Sequence, residues 1–307
     1  MFSTKHMRTD PAYSERLRAC GLDTVDKVLA RVEGCVAAWS RTTDTLYVPS
    51  ADGTPGFYLK RYFFPNWTKR LRGTLRGTFF GMHRGQAEYR ALNVMRALGI
   101  PAVRPVAYGD RRVGHFLAAC FLITEEVPGA RNLTAFALDV AAGRESLAPA
   151  PRRAFLAALA EQLSALHATG CSHGNLFWRN VLVRQGPDRR PEFFFLDAQP
   201  LRSWWRLGRN GHWWLRELAQ VTVSAVPFTT RTERLRFVQH YLGGAPLTPE
   251  LKDQLRQIER QAQTWRQHEL RRIRMTRLFE EWNRQLQAES GASCGPETAI
   301  AGAEPMP

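Results

Sequence analysis

An α+β fold, with a smaller sheet lobe before a larger helical lobe, is what this 307-residue sequence predicts. Most strand-like segments lie before residue 127. From residue 213 onward the pattern is helical, with Leu251, Leu255, Ile258, Ala262 and Trp265 spaced four and three residues apart in turn. A composition of 44% hydrophobic and 23% charged residues is typical of a globular chain and excludes a disordered one.

The first half of the chain alternates strand and helix signals. Residues 45–63 predict two strands around a turn at 51–56. Residues 84–98 have the apolar spacing of a helix, which Gly99 ends. Two further strands are predicted from the segments VRPVAYG and HFLAACFLITEE.

A buried helix followed by a polar loop and a hairpin is predicted in the second half. The segment 151–168 starts with a proline and carries four leucines on one face. The loop CSHGNLFWRN follows, and NVLVRQGPDRRPEFFFLDAQP then predicts a strand, a turn and a second strand. This hairpin would bring Asn180 and Asp197 close together.

These patterns divide the chain into four parts: an N-terminal extension (1–24), the sheet lobe (25–127), the helical lobe (128–288) and a disordered tail (289–307). The formal charge of +15 and the pI near 10.4 indicate anionic partners. The segment 60–84 contains seven cations and no acid, interleaved with aromatic residues. It is either a solvated basic loop or a surface for anionic lipid or glycolipid. With no apolar run of membrane-spanning length, we expect a cytoplasmic protein, at most peripheral on the inner face of the cytoplasmic membrane.

Several short motifs follow one another along the chain. Lys60 lies in FYLK and Glu88 in QAEYRAL; TEEVPG, HGNLFWRN and, around Asp197, FFFLDAQP follow. Together they resemble protein kinases, and more closely the lipopolysaccharide core kinases, the Kdo and heptose kinase family of Gram-negative bacteria. The resemblance covers roughly residues 25–245 and implies a protein-kinase-like fold that uses ATP and Mg²⁺.

The resemblance also implies a nucleotide site. Lys60 would contact the nucleotide phosphates and pair with Glu88. Glu125, with Glu126 after it, fits the hinge whose backbone would bind adenine. The segment RVEGCVAAWS offers one glycine, Gly34, where kinases have several, so the element that covers the phosphates stays unidentified.

The metal ligands and the catalytic loop are implied in the same way. Asn180 and Asp197 would offer oxygen ligands to Mg²⁺. His173 would pack and hydrogen-bond the loop, and Arg179 could neutralise charge on the transferred phosphoryl group. Asn175 stands where kinases have the catalytic aspartate; its amide can orient a hydroxyl group but cannot accept its proton.

Three functions therefore stay open. The first is a kinase that phosphorylates a sugar hydroxyl of an anionic glycolipid, the lipopolysaccharide core. The second, supported by Asn175, is a catalytically impaired pseudokinase that binds nucleotide or serves as a scaffold. The third is a nucleic-acid binder, suggested only by the net charge and an arginine cluster, without a recognised nucleic-acid motif. That cluster is Arg271, Arg272, Arg274 and Arg277.

Overall fold

A computed structural model of the protein describes five stretches of the chain: 2–39, 42–50, 52–64, 82–199 and 213–290. Most of the basic segment 60–84 and most of the predicted tail lie outside these stretches. Within them, a sheet lobe precedes a mainly helical lobe, which confirms the predicted α+β class.

Six antiparallel strands form the sheet in the order β1-β5-β6-β4-β3-β2. Strand β6 lies inside the sheet, and most of its residues are buried because helices cover both of its faces. The strands are β1 (Ser3–Thr9), β2 (Cys35–Trp39), β3 (Thr43–Val48), β4 (Phe57–Phe63), β5 (Pro105–Val113) and β6 (Phe116–Glu125).

The segment predicted as an N-terminal extension contributes to this sheet. Strand β1 pairs along its whole length with β5, and the short helices α1 (Ser14–Ala19) and α2 (Val25–Ala30) follow it. The sequence analysis missed β1 because STKHMRT has no apolar alternation. As an edge strand with mostly exposed side chains, it joins the sheet through its backbone.

Helix α3 (Arg84–Ala97) packs closely against the sheet. His83 caps its first turn, its Nδ1 accepting a hydrogen bond from the Gln86 N–H at 3.2 Å. A Cβ atom on Gly85 would lie 2.3 Å from the carbonyl oxygen of Phe121 on β6. The glycine therefore permits the approach that puts Glu88, one turn later, near β4.

The second lobe combines helices with a small antiparallel sheet of order β7-β8-β9. Its core includes Leu159, Leu163 and Leu166 from the predicted leucine helix, and Ile258 and Ala262 from the predicted long helix. The strands are β7 (Arg131–Asn132), β8 (Val181–Gln185) and β9 (Pro191–Phe195). The helices are α4 (Leu133–Ala141), α5 (Pro149–Ala168), α6 (Trp213–Ala225), α7 (Arg231–Tyr241) and α8 (Pro249–Ser290). Across the described stretches, no helix combines the length and apolar character needed to cross a bilayer.

Candidate active site

A cleft of about 280 Å³ lies where the two lobes meet. Strands β2, β3 and β4 line it from the sheet lobe, and the loop after α5 and the end of β9 line it from the helical lobe. Leu122, Leu182 and Leu196 form part of an apolar wall. Such a cleft, apolar on one side and polar on the other, is typical of a small-molecule site.

Lys60 on β4 contacts two carboxylates in this cleft. Its Nζ atom lies 3.1 Å from Oε2 of Glu88 on α3 and also forms a close ion pair with Oδ1 of Asp197 after β9. The Tyr62 hydroxyl donates to the same Glu88 oxygen at 3.2 Å. Three residues predicted from separate motifs therefore lie together.

The charges of this cluster stabilise one another. Burial by itself lowers the pKa of Lys60, but Asp197 and Glu88 raise that pKa well above the ordinary lysine value. For Asp197, burial raises the pKa, yet Lys60 holds it below the ordinary aspartate value. Burial dominates for Glu88 and raises its pKa. At neutral pH the cluster therefore presents a cationic lysine and an ionised Asp197.

His173 and Gly174 shape the loop that leads into the cleft. His173 is fully buried, and its Nδ1 atom accepts a hydrogen bond from the Asn175 N–H at 3.3 Å. Burial lowers its pKa, which favours a neutral ring. Gly174 adopts φ of 77°, a left-handed conformation that glycine adopts without strain. His173 thus lies where a structural loop residue is expected.

Asn175, Asn180 and Asp197 are linked by side-chain amides. The Asn180 Nδ2 donates to the backbone carbonyl oxygen of Asn175 at 2.7 Å, and the Asn175 Nδ2 donates to Oδ2 of Asp197 at 2.7 Å. Because the Asn180 amide nitrogen is the donor, its carbonyl oxygen can serve as a metal ligand. Asp197 has φ of 55°, which is strained for a residue with a side chain and is typical of functional sites.

Arg179 lines the cleft but is held from the helical lobe. Its guanidinium group pairs with the carboxylate of Glu269 on α8, whose side chain is only 2% exposed. The guanidinium also lies 4.0 Å from the centroid of the Phe177 ring. The Arg179 side chain is thus part of the contact between loop and helix, and its action on a phosphoryl group stays a prediction.

Three polar side chains of α6 hold the backbone of the loop that follows His173, and the sequence analysis missed them. They are one and two turns apart on a mostly apolar helix, and they accept hydrogen bonds from alternate loop amides. The bonds run from Gly174 N to Glu217 Oε1, from Leu176 N to Gln220 Oε1 at 2.7 Å, and from Trp178 N to Ser224 Oγ at 3.3 Å. The detectable signal was the spacing of polar residues in WWLRELAQVTVSA.

A second row of contacts supports these side chains. The Nε2 atom of His167 lies 3.0 Å from Oε2 of Glu217. Burial favours the neutral acid, but the hydrogen bond with His167 holds the pKa of Glu217 below its ordinary value. The Ser224 hydroxyl donates to Oε1 of Glu269 at 2.7 Å. The carboxylate of Glu269 therefore joins the loop, α6 and Arg179.

The sheet lobe covers the cleft with β2 and β3. Trp39, Thr43 and Thr45 line it from these strands. Gly34 does not line the described part of the cleft: it precedes β2 with φ of 127°, and a Cβ atom there would lie 2.6 Å from the Tyr47 carbonyl oxygen. A glycine is therefore needed at position 34 so that the backbone can pack against β3. Residues 40–41, between the two strands, lie outside the described stretches.

Glu125 ends β6 beside the cleft, but its side chain turns toward the N-terminal segment. Its carboxylate accepts hydrogen bonds from the Tyr13 hydroxyl and from Arg16, each at 2.7 Å. A hinge role would therefore use the backbone of Glu125.

Arg272 of α8 also lines the cleft. The sequence analysis did not predict this placement, because α8 is distant in the chain from the loop that follows His173.

Comparison with known proteins shows the family of this chain. A sequence model of the family described as "Lipopolysaccharide kinase (Kdo/WaaP) family" matches residues 41–241. The lipopolysaccharide core heptose(I) kinase WaaP of Pseudomonas aeruginosa (strain PAO1) is 28% identical over 183 residues. That alignment covers 57% of this chain and 66% of the relative, so slightly less than two thirds of the relative is spanned.

Among solved structures, "WaaP in complex with acyl carrier protein" aligns with a TM-score of 0.59 at 22% identity. It covers 84% of this chain and 98% of that chain, which supports the kinase-like fold. The kinase domain of Mycobacterium tuberculosis PknI, C20A mutant, aligns over 70% of this chain and 75% of its own, with a TM-score of 0.38 and 16% identity.

Proposed function

Because the chain belongs to the lipopolysaccharide kinase (Kdo/WaaP) family, we propose that it transfers the γ-phosphoryl group of ATP to a sugar hydroxyl of the lipopolysaccharide core. The observation that carries this proposal is the convergence of Lys60, Glu88, Asn175, Asn180 and Asp197 on one cleft. Phosphoryl transfer needs charge neutralisation and alignment more than covalent chemistry, and these side chains supply both.

The nucleotide half of the site rests on Lys60 and Asp197. Glu88 holds the Lys60 ammonium group in the cleft, where it would bind the nucleotide phosphates. The carboxylate of Asp197 and the side-chain oxygen of Asn180 fit Mg²⁺, a hard cation that binds oxygen ligands from the protein and from substrate phosphates together. When bound, the metal would neutralise charge on the β- and γ-phosphates.

The acceptor half rests on Asn175. In the reaction, a bond forms from the sugar oxygen to the γ-phosphorus, and the bond from that phosphorus to the bridging oxygen of ADP breaks. Asn175 can hydrogen-bond the attacking hydroxyl but cannot take its proton. In a loose transition state the proton leaves late, so it can pass to the transferred phosphoryl oxygens or to water. The expected activity is slow transfer.

The competing function is a pseudokinase that binds Mg-ATP without transferring phosphate. Asn175 favours it, because general bases contribute about 10²- to 10⁴-fold to the reactions they assist. Transfer of radiolabel from ATP to purified core glycolipid separates the two functions. Labelled glycolipid is expected; binding of Mg-ATP with no labelled product would establish the pseudokinase.

Calorimetry with Mg-ATP tests the nucleotide site itself. Lys60→Ala and Asp197→Ala should each weaken binding severely, because they remove the cation and the metal ligand. Lys27→Ala is a matched control: Lys27 lies on α2 and pairs with Asp23 at 2.9 Å on the surface. If both cleft variants bind Mg-ATP as the control does, the nucleotide site is elsewhere.

We also propose an acyl carrier protein as a partner, because the aligned WaaP structure is a complex with one. A cavity of about 410 Å³ in the helical lobe supports this proposal. Mostly apolar side chains line it, among them Trp178, Leu218 and Phe237, together with Arg231 and Arg234. Co-purification of the chain with acylated and unacylated carrier tests the idea, and capture of neither would refute it.

A further inference from the structure

The C-terminal part of α8 has an outward face with an unusual composition. Residues spaced four apart lie on one side of a helix, and here they are Leu270, Arg274, Leu278 and Trp282. The apolar members are 38%, 48% and 50% exposed, respectively. Arg271 and Arg277 flank them and are exposed as well, and Glu281 lies on the same face. We call the six cationic and apolar residues, Leu270, Arg271, Arg274, Arg277, Leu278 and Trp282, the α8 stripe.

The opposite face of the same helix segment is packed against the protein. Glu269, Ile273, Thr276 and Glu280 are buried there. Since Glu269 binds Arg179 and Ser224, α8 is fixed in rotation relative to the helical lobe. The stripe is therefore held outward by the fold, and its exposed leucines and tryptophan cannot turn inward while these contacts persist.

We propose that the α8 stripe docks the protein on an anionic lipid bilayer. Arginines with long apolar stems can place their charge at phosphate level while leucine and tryptophan side chains enter the headgroup region. Three arginines and three apolar residues share this face of the helix, so charge complementarity and apolar burial act on the same surface. A nucleic acid would use the arginines but would leave the exposed leucines in water.

The stripe is also next to the cleft. Arg272, between two of its residues in sequence, lines the cleft with Asn175 and Asp197. Successive residues of a helix are about 100° apart around its axis, so the cleft side and the outward side of α8 adjoin. Docking through the stripe would bring the cleft near the bilayer surface. A membrane-embedded glycolipid could then reach the cleft. That consequence rests on the proposed function, whereas the docking itself does not.

Vesicle sedimentation of the full-length chain tests the proposal. Vesicles of phosphatidylcholine are compared with vesicles that also contain phosphatidylglycerol; neither contains a core sugar, and ATP is omitted. Replacing Arg271, Arg274 and Arg277 by glutamine should weaken binding to the anionic vesicles about 100-fold. The variant Leu278→Gln/Trp282→Gln should weaken binding to both kinds of vesicle.

The matched control removes the same charge from the sheet lobe. Lys5, Arg18 and Lys27 are exposed, and replacing all three by glutamine should change binding much less than the stripe variant does. Equal loss in control and stripe variants would reduce the effect to net charge and overturn the proposal. So would wild-type binding by both stripe variants. If the stripe arginines are required for binding a DNA oligonucleotide and not vesicles, the surface is a nucleic-acid site instead.

Failure of docking and failure of the proposed kinase activity give different results. Mg-ATP affinity of the stripe variants, measured by calorimetry, should equal that of the wild type, which also shows that they fold. Docking without phosphotransfer would leave the stripe valid and the kinase function wrong. Phosphotransfer to detergent-dispersed glycolipid without vesicle binding would leave the kinase function valid and the docking proposal wrong.

Discussion

Replacing Asn175 by aspartate would put two carboxylates in contact. The Asn175 Nδ2 lies 2.7 Å from Oδ2 of Asp197, so the variant loses a hydrogen bond to a charged acceptor, which contributes about 1.5–3 kcal/mol. It gains the repulsion of two like charges, about 4 kcal/mol at a separation of about 4 Å and an effective dielectric constant of about 20. The Asp197 side chain is 35% exposed and Lys60 adjoins it, so solvent and rotation relieve part of this repulsion.

We therefore expect Asn175→Asp to lower the free energy of unfolding by about 2–4 kcal/mol in the absence of nucleotide. Asn175→Ala, which removes the hydrogen bond without adding charge, should lose less. Mg²⁺ with ATP should reduce the difference between the variants, because a divalent cation attracts both carboxylates. Urea unfolding followed by tryptophan fluorescence, with and without Mg-ATP, measures these changes.

The same variant tests the acceptor role of Asn175. If the sugar hydroxyl lies within hydrogen-bond reach of this side chain, the aspartate should raise turnover by about 100-fold or more. An apo Asn175→Asp protein as stable as the wild type would refute the proposed contact with Asp197. A fast wild type and a slower aspartate variant would refute the acceptor role. The proton would then pass to oxygens of the substrate itself, with Asn175 in another role.

Two further substitutions test the supports of the site, and a third tests an ion pair between α5 and α7. Glu269→Ala should lower the free energy of unfolding by about 3–5 kcal/mol, because it leaves the 15%-exposed Arg179 side chain without its buried partner. Glu269→Gln should lower the free energy of unfolding by less in the same urea titration. Equal stability of the wild type and both variants would contradict this prediction. Gly85→Ala should weaken Mg-ATP binding in calorimetry, because the added Cβ would lie 2.3 Å from a β6 carbonyl oxygen and this clash would displace α3 with Glu88. Unchanged affinity for Mg-ATP would show that α3 adapts. The hydrogen bond from Arg152 lowers the pKa of Glu233 to about 2, so its stabilisation is present above pH 4.5 and is lost as the pH falls toward 2. Acid titration of stability should therefore be steeper for the wild type than for Glu233→Gln, and parallel curves would contradict the assignment.

Much of the fold could be predicted because its signals are local. Strands β3 to β6, the helix with Glu88 and the leucine helix each follow from apolar spacing within a single segment. The kinase-like order of Lys60, Glu88, Asn180 and Asp197 was also readable, since motif order survives where overall identity is low. In the structure the Lys60 ammonium group forms ion pairs with Glu88 and Asp197; their roles stay predictions.

Other features had no local signal. Strand β1 joins the sheet through backbone pairing, which does not depend on an apolar side-chain pattern. Gly34 precedes β2 at a point where a Cβ atom would lie 2.6 Å from the Tyr47 carbonyl oxygen, a contact between segments that the local sequence does not encode. Trp39 and Thr43 line the described part of the cleft from β2 and β3, a placement that strand pairing decides.

The sequence by itself determined the lobe order, the kinase-like motif order and the residue types at the site, because hydrophobic periodicity and short spacings encode them locally. Only the tertiary structure decided that Asn175 donates to Asp197, that three α6 side chains hold the loop amides, and that Glu269 pairs with Arg179 from 90 residues away. Each of these contacts joins segments distant in the chain. Their geometry depends on how whole helices pack, and a buried polar group must find its partner across that packing to offset its desolvation.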